Sequence, residues 1–247
     1  MNRKLEFLLT ETEWLSGLAW LKGAPYDRDS LHEAWETLLR NQFHDIIPGS
    51  SIREVYEDSA LEYRKAYGLL AKAQSGAVNA LIQPEEGAYT LCHSGSFARK
   101  DCVYLPEKAG GAFYTAEGKP LPAQRVKEGY YVLASSLALS MQTLRFEKRR
   151  TARAKCPFAA DLDSRTLQTP YYDIAWDENG FLTSLYDRGH ARQVLAGLGN
   201  ALEIYEDKPL NYDAWDIDLF HTKKREYAQL CAPVEAADFG PLRATLR

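Results

Sequence analysis

The 247-residue chain contains no run of about 18 apolar residues, so no membrane-spanning helix is expected. Its N-terminus, Met-Asn-Arg-Lys-Leu-Glu, lacks the apolar core of a signal peptide. It also lacks an excess of positive charge. A formal net charge of −4 excludes the electrostatic footprint of a nucleic-acid binder. The short basic cluster Lys148-Arg149-Arg150, with Arg153 and Lys155, reads as a solvated loop or strand edge, a phosphate patch being the alternative. CxxC spacing is missing. Cys92, Cys102, Cys156 and Cys231 are scattered and read as reduced, mostly buried thiols of a cytoplasmic protein. A Cys92–Cys102 hairpin disulfide is the alternative, which that compartment disfavours. No internal repeat or low-complexity segment stands out.

What is present is a soluble composition, 45% hydrophobic and 26% charged, long enough for one large domain or two smaller ones. Aromatic residues are plentiful at 12%, which suits broad packed surfaces and also carbohydrate contact, since sugar C–H faces lie well on aromatic rings.

The first third has helical spacing. Leu5, Leu8, Leu9, Thr12, Leu15 and Ala19 form one stripe, ended by Gly23-Ala24-Pro25. A second helix is expected to open at Ser30, with Glu33 completing a capping box, and to bury Leu31, Trp35, Leu38, Leu39 and Phe43. It stops before Pro48-Gly49. A third opens at Ser51 with Glu54 and carries Val55, Tyr56, Ala60, Tyr63, Tyr67, Leu70, Ala77 and Leu81, with Pro84 at its end. Short connections predict an antiparallel three-helix bundle, with Tyr56, Tyr63 and Tyr67 as packing residues.

From about residue 86 the pattern changes to short Tyr-, Val-, Leu- and Thr-rich runs between turn residues. Val103-Tyr104-Leu105, Gly129 to Leu133 and Leu202 to Tyr205 read as strands. Asn179-Gly180 between Tyr172–Trp176 and Phe181–Tyr186 signals a hairpin. The expected fold class is therefore α+β and multidomain. A three-helix domain spans 1–85, a small β domain 86–165, and the start of a larger β-sandwich domain 166–247. The last six residues, Leu242 to Arg247, read as a strand without closing turn or polar tail, so a truncated product with an unpaired edge is expected.

His44-Asp45, where the second helix meets its turn, is the leading candidate site. A histidine there can offer a neutral imidazole nitrogen to a metal, and the carboxylate can accept hydrogen bonds from a polyhydroxylated ligand. The pair by itself also reads as a solvated charge pair, because a zinc site needs three or four ligands. Asp207, Asp213, Asp216 and Asp218, with Tyr212 and Trp215 interleaved, form an acidic loop. It reads either as a structural loop or as one reaching toward a sugar. His93, His190 and His221 read as surface histidines.

The phrase Asn41-Gln42-Phe43-His44-Asp45-Ile46-Ile47-Pro48-Gly49-Ser50-Ser51, continued by Ile52-Arg53-Glu54-Val55-Tyr56-Glu57-Asp58, resembles the middle helical domain of glycoside hydrolase family 38 α-mannosidases. The phrase Tyr205-Glu206-Asp207-Lys208-Pro209-Leu210-Asn211-Tyr212-Asp213-Ala214-Trp215-Asp216-Ile217-Asp218 resembles their C-terminal β domain. The resemblance is weakest over residues 107–165. It implies that His44 is one of four zinc ligands and that Asp45 contacts mannose hydroxyls; Tyr212 and Asp213 of the acidic loop are further candidate substrate-binding residues. In the family the other ligands, the nucleophile and the acid/base carboxylate come from an N-terminal α/β barrel, to which nothing in this sequence corresponds. No catalytic residue is therefore expected in this chain, and retaining glycosidases need two carboxylates about 5–5.5 Å apart.

The implied function is part of a zinc-dependent retaining α-mannosidase that acts on terminal α-mannosides. The isolated chain is expected to be inactive and to hold no zinc. The alternative is a non-catalytic carbohydrate-binding or assembly module. Neither nucleic acid nor membrane is expected as a partner, and homo-oligomerisation stays open.

Overall fold

The computed structural model describes residues 1–149, 154–213 and 215–247. Arg150 and Arg153 of the basic cluster lie outside the described residues. Three helices come first: α1 (Asn2–Leu21), α2 (Arg28–Arg40) and α3 (Arg53–Leu81). Strands follow as β1 (Ala88–His93), β2 (Arg99–Leu105), β3 (Gly111–Thr115), β4 (Pro120–Leu121), β5 (Ala123–Val126), β6 (Gly129–Ser136), β7 (Ser140–Lys148) and β8 (Ala159–Asp161). The remainder are β9 (Thr166–Gln168), β10 (Tyr172–Trp176), β11 (Leu182–Asp187), β12 (Arg192–Gln193), β13 (Glu203–Tyr205), β14 (Arg225–Tyr227), β15 (Ala236–Phe239) and β16 (Ala244–Leu246). The expected α+β succession is thus the observed one. Among the described residues no helix is long and apolar enough to cross a membrane.

The chain divides into two compact units. One holds Met1–Arg99, Ser136–Gln142 and Pro209–Asp216; the other holds Lys100–Ser135, Thr143–Lys208 and Ile217–Arg247.

In the first unit the helices form an up-down-up bundle. Buried positions on α3 are Ser59, Tyr63, Ala66, Leu70, Ala73 and Ala77, alternating by four and three residues. Leu5, Leu9, Thr12, Ser16 and Ala19 on α1 repeat the same alternation. That spacing keeps one seam facing the partner helix, and its many small side chains allow close approach. Leu5, Leu9, Leu31, Ala34, Leu38, Tyr63, Ala66 and Leu70 make one cluster, and Leu15, Ala19 and Ala77 a second. The predicted stripe of α1 is the buried one. Its end is a Schellman motif: Ala24 N–H donates to the Ala19 carbonyl and Gly23 N–H to that of Trp20, with Gly23 at φ 90°.

The two expected capping boxes did not form. The α2 helix starts earlier, because Asp27 is the N-cap and accepts the Ser30 N–H at 3.2 Å. Glu33 instead pairs with Lys65 on α3. At α3 the N-cap is Ile52, which makes no side-chain cap bond. Leu39 and Phe43 are also not on the buried stripe, being 59% and 52% exposed. The helix ends at Arg40, so Phe43 leaves the α2 spiral.

The sheets run β1-β7-β3-β4, β2-β6-β5, β12-β11-β10-β9-β8, β13-β14 and β15-β16. In the second unit Phe113 on β3 lies 5.2 Å from Tyr130 on β6 and 5.1 Å from Phe146 on β7, ring centre to ring centre. Inner-face aromatic side chains from two sheets thus interlock, as in a sandwich core. The Asn179-Gly180 hairpin formed as read. Asp177 Oδ1 accepts the N–H groups of Asn179 and Phe181, and Gly180 takes φ 80°. The C-terminal strand β16 is not wholly unpaired as expected: it lies antiparallel to β15. Gln124, 3% exposed, reinforces that end. Its Oε1 accepts the N–H groups of Leu242 and Arg243 at 3.0 and 2.9 Å, and its Nε2 donates to the Arg243 carbonyl.

One expectation about cysteine was wrong. Cys92, Cys102 and Cys231 are exposed, Cys156 is half-buried, and all four are free. Cys92 and Cys102 sit on β1 and β2 at positions that those strands leave uncovered, Cys92 as the exposed residue of β1 and Cys102 within the exposed first four residues of β2.

Candidate functional site

The site is built at one end of the bundle, where α1 begins, α2 ends and α3 begins. Asn41, 2% exposed, anchors the end of α2. Its Nδ2 donates to the Thr37 carbonyl at 2.9 Å and to Glu62 Oε2 on α3 at 2.8 Å. Arg40 adds a 2.7 Å ion pair to the other Glu62 oxygen. Gln42 Nε2 donates to Asn2 Oδ1 on α1 at 3.2 Å, and Asn2 Nδ2 donates to the Tyr63 hydroxyl at 2.8 Å. Residues 41 and 42 are therefore tied to both neighbouring helices.

The chain then leaves the helix. The N–H groups of Ile46 and Ile47 both point back to the Phe43 carbonyl, at 2.9 and 3.0 Å. Gly49 turns the chain with φ 98°, a left-handed value that disfavours any residue with a Cβ. Between these anchors stand His44 and Asp45. The imidazole is 77% exposed and the carboxylate 37%, with Nε2 3.6 Å from Oδ2. The His44 ring leans on Phe43, centroids 4.2 Å apart and planes 47° from parallel. An exposed imidazole beside a carboxylate can donate one nitrogen to a metal or hydrogen-bond a polyol.

The chain's residues do not complete a metal centre. Among the described residues no group of three or more His, Cys, Asp or Glu side chains is placed to hold a metal ion. One imidazole with one carboxylate falls short of a zinc set, so His44 fits zinc only as a contributor to a site completed by other groups.

The second candidate, the acidic loop, connects β13 and β14, which pair as Glu203↔Tyr227 and Tyr205↔Arg225. Its later part, Leu219–Lys223, is a short 3-10 helix. Tyr212, 75% exposed, takes φ 56°, and its carbonyl accepts the N–H groups of Trp215 and Asp216 at 2.7 and 2.9 Å. Trp215 is 70% exposed, and Ala214 lies outside the described residues. Tyr212 and Asp213 belong to the same compact unit as His44 and Asp45. Among the described residues no hydrogen bond joins the two pairs. His93, His190 and His221 each have a local partner: the Phe97 carbonyl, Asp187 and the Asp218 carbonyl.

Glu206 fastens the foot of this connection. Its two carboxylate oxygens pair with Lys208, at 2.6 Å, and with Lys224. Hydrogen bonds from Lys208 and then Lys224 pull its pKa down to about 2. A lowered carboxylate pKa means the tie holds above the usual range and is lost as pH falls through about 2. A carboxyl titration by NMR should find a midpoint near 2 for Glu206, moving back toward 4.5 in Lys208→Met or Lys224→Met. An ordinary midpoint in the unmodified chain would contradict the double pairing.

Two residues at the His44 turn escaped sequence reasoning. Ser51 is not a helix cap, and Tyr56 is not only a packing residue. Both direct their hydroxyls at the carbonyls of the turn itself.

A helical bundle followed by antiparallel sheets, with a His-Asp turn at the bundle's end, is the architecture of a multidomain α+β protein. The family model for the alpha mannosidase middle domain matches residues 1–81, and that for the glycosyl hydrolases family 38 C-terminal domain matches residues 167–247. Together these cover about two thirds of the chain, and it belongs to glycoside hydrolase family 38. Alpha-mannosidase 2C1 of Mus musculus is 28% identical over 231 residues, 91% of this chain and 21% of that protein. The alpha-mannosidase of Saccharomyces cerevisiae is 23% identical over 250 residues, 92% of this chain and 18% of that protein. A solved family 38 glycosyl hydrolase from Enterococcus faecalis shares the fold with a TM-score of 0.69 at 14% identity, over 98% of this chain and 35% of that one. The chain thus spans about a fifth of the length of these curated relatives.

Proposed function

We propose that this chain is the middle and C-terminal portion of a cytoplasmic, zinc-dependent retaining α-mannosidase acting on terminal α-mannosides. In this reading His44 is one zinc ligand and Asp45 accepts hydrogen bonds from sugar hydroxyls. Tyr212 and Asp213 lie on the substrate side. The remaining ligands, the nucleophile and the acid/base come from an N-terminal α/β barrel outside these 247 residues. The observation that carries the reading is the His44–Asp45 turn. It is exposed, its flanks are tied down, and it lies inside the segment matched by the alpha mannosidase middle domain. Kinship with proteins named alpha-mannosidase supports the substrate class.

The test compares the 247-residue chain with the same chain joined behind a family 38 catalytic barrel. The bare chain should not hydrolyse an aryl α-mannoside, because hydrolysis needs two carboxylates across the scissile bond. Elemental analysis should find well under one zinc per chain, since a lone imidazole supplies little of the binding energy of a complete site. The joined protein should turn over the substrate and lose activity to a chelator. Turnover by the bare chain, or one tightly held zinc in it, would overturn the reading.

A further inference from the structure

We infer that Tyr56 and Ser51 are positioning residues for the His44–Asp45 turn, acting through the Asp45 and Ile46 carbonyls; for catalysis this rests on the function proposed above. In a turn that has left its helix, backbone carbonyls have no helical donor and must find another. Here the donors are hydroxyl groups. Ser51 Oγ donates to the Asp45 carbonyl at 2.5 Å. The Tyr56 hydroxyl donates to the Ile46 carbonyl at 3.3 Å and lies 3.5 Å from that of Asp45. The same phenol oxygen accepts the Ser51 N–H at 2.9 Å, so one tyrosine uses both faces of its hydroxyl. Ser50 Oγ stands 3.4 Å from the Asp45 carbonyl as a weaker third donor.

The geometric consequence follows from the backbone. Holding a residue's carbonyl restricts its ψ and the placement of its Cα–Cβ bond, and the rotamers open to a side chain depend on φ and ψ. Among the described residues, the nearest charged partner of the Asp45 carboxylate is His44, at 3.6 Å, beyond hydrogen-bond distance. Its aim is set from the backbone end, by Ser51 and Tyr56. Tyr56 sits in the first turns of α3, whose later residues Tyr63, Ala66 and Leu70 are in the bundle core. The clamp therefore ties the turn to the helix that carries the packed core of the bundle. With Asn41 and Gln42 tied on the other side, His44 and Asp45 are held at both ends yet left open to solvent. Sites act well when they are preorganised in this way, because orientation is settled before the ligand arrives.

The test uses Tyr56→Phe, Ser51→Ala and Ser51→Thr, with Asp45→Asn as reference. In the 247-residue chain, NMR should find the Ser51 amide exchanging about tenfold faster or more in Tyr56→Phe, since its acceptor is gone. The Hα–Hβ couplings of Asp45, which report χ1, should move toward rotamer averaging in Tyr56→Phe and Ser51→Ala. Ser51→Thr, which keeps the hydroxyl, should retain the original couplings. Helical ellipticity should be unchanged in all of them. In the barrel-joined protein Tyr56→Phe should lower kcat about tenfold with KM within about twofold, the signature of misaligned rather than missing contacts. Unchanged Ser51 exchange or unchanged Asp45 couplings would overturn the clamp. So would a normal kcat in Tyr56→Phe alongside a low one in Asp45→Asn, with the proposed function left standing. Should Asp45→Asn itself keep full kcat, the function assigned to the pair falls, and the couplings alone decide for or against the clamp.

Discussion

Asp45→Asn, placed in the chain joined to a family 38 barrel, is expected to lower kcat on an aryl α-mannoside by about a hundredfold or more. The exchange keeps the shape of the side chain and removes its charge. A charged acceptor on a sugar hydroxyl in a closed site contributes more than a neutral one, and a hundredfold loss corresponds to roughly 2.7 kcal/mol at the transition state. The fold should be unaffected, because the hydrogen bonds at residue 45 are made by its carbonyl and not by its carboxylate. His44→Ala in the same protein should mainly weaken metal retention, read as a lower chelator concentration for half-inactivation. Full turnover in Asp45→Asn, or unaltered metal retention in His44→Ala, would remove the roles assigned to the pair.

Leu70→Ala is expected to destabilise the helical unit by about 2–5 kcal/mol. Leu70 has 0% exposure and lies in the cluster with Leu5, Leu9, Leu31 and Leu38, so truncation leaves a cavity bordered by three helices. The α3 seam that neighbours it uses Ala66 and Ala73, which are too short to fill the gap by shifting rotamer. Urea unfolding followed by helical ellipticity should register the loss. A change below about 1 kcal/mol would mean the bundle core is more plastic than its packing implies. Truncation of exposed Leu39 serves as the contrast, and should stay within about 0.5 kcal/mol.

Legibility from sequence followed the range of the interaction. The α1 stripe was readable because burial repeats every three or four residues along a helix, and Leu5, Leu9, Thr12, Leu15 and Ala19 are all buried. The Asn179-Gly180 hairpin was readable because its requirement, a left-handed glycine with an aspartate to cap it, is met within five residues. The caps at Ser30 and Ser51 were misread for a related reason. Several residues near each helix start could serve, and the choice fell to geometry beyond the local pattern. Asp27 took the first position, and Ser51 was already engaged with Asp45.

The kind of protein and its leading candidate residues were legible in the linear pattern. The phrases around His44-Asp45 and Tyr212-Asp213 are long and ordered, and periodicity separates a helical third from a β remainder. Which hydroxyl meets which carbonyl depends on the folded chain. Tyr56 reaches Ile46 because Gly49 reverses the chain at positive φ and returns α3 alongside the end of α2. Gln124 meets Leu242 and Arg243 across more than a hundred residues of chain, a distance at which no local pattern carries information. Buried polar groups must find partners wherever the fold leaves them, and that constraint acts on the closed structure, not on the linear string.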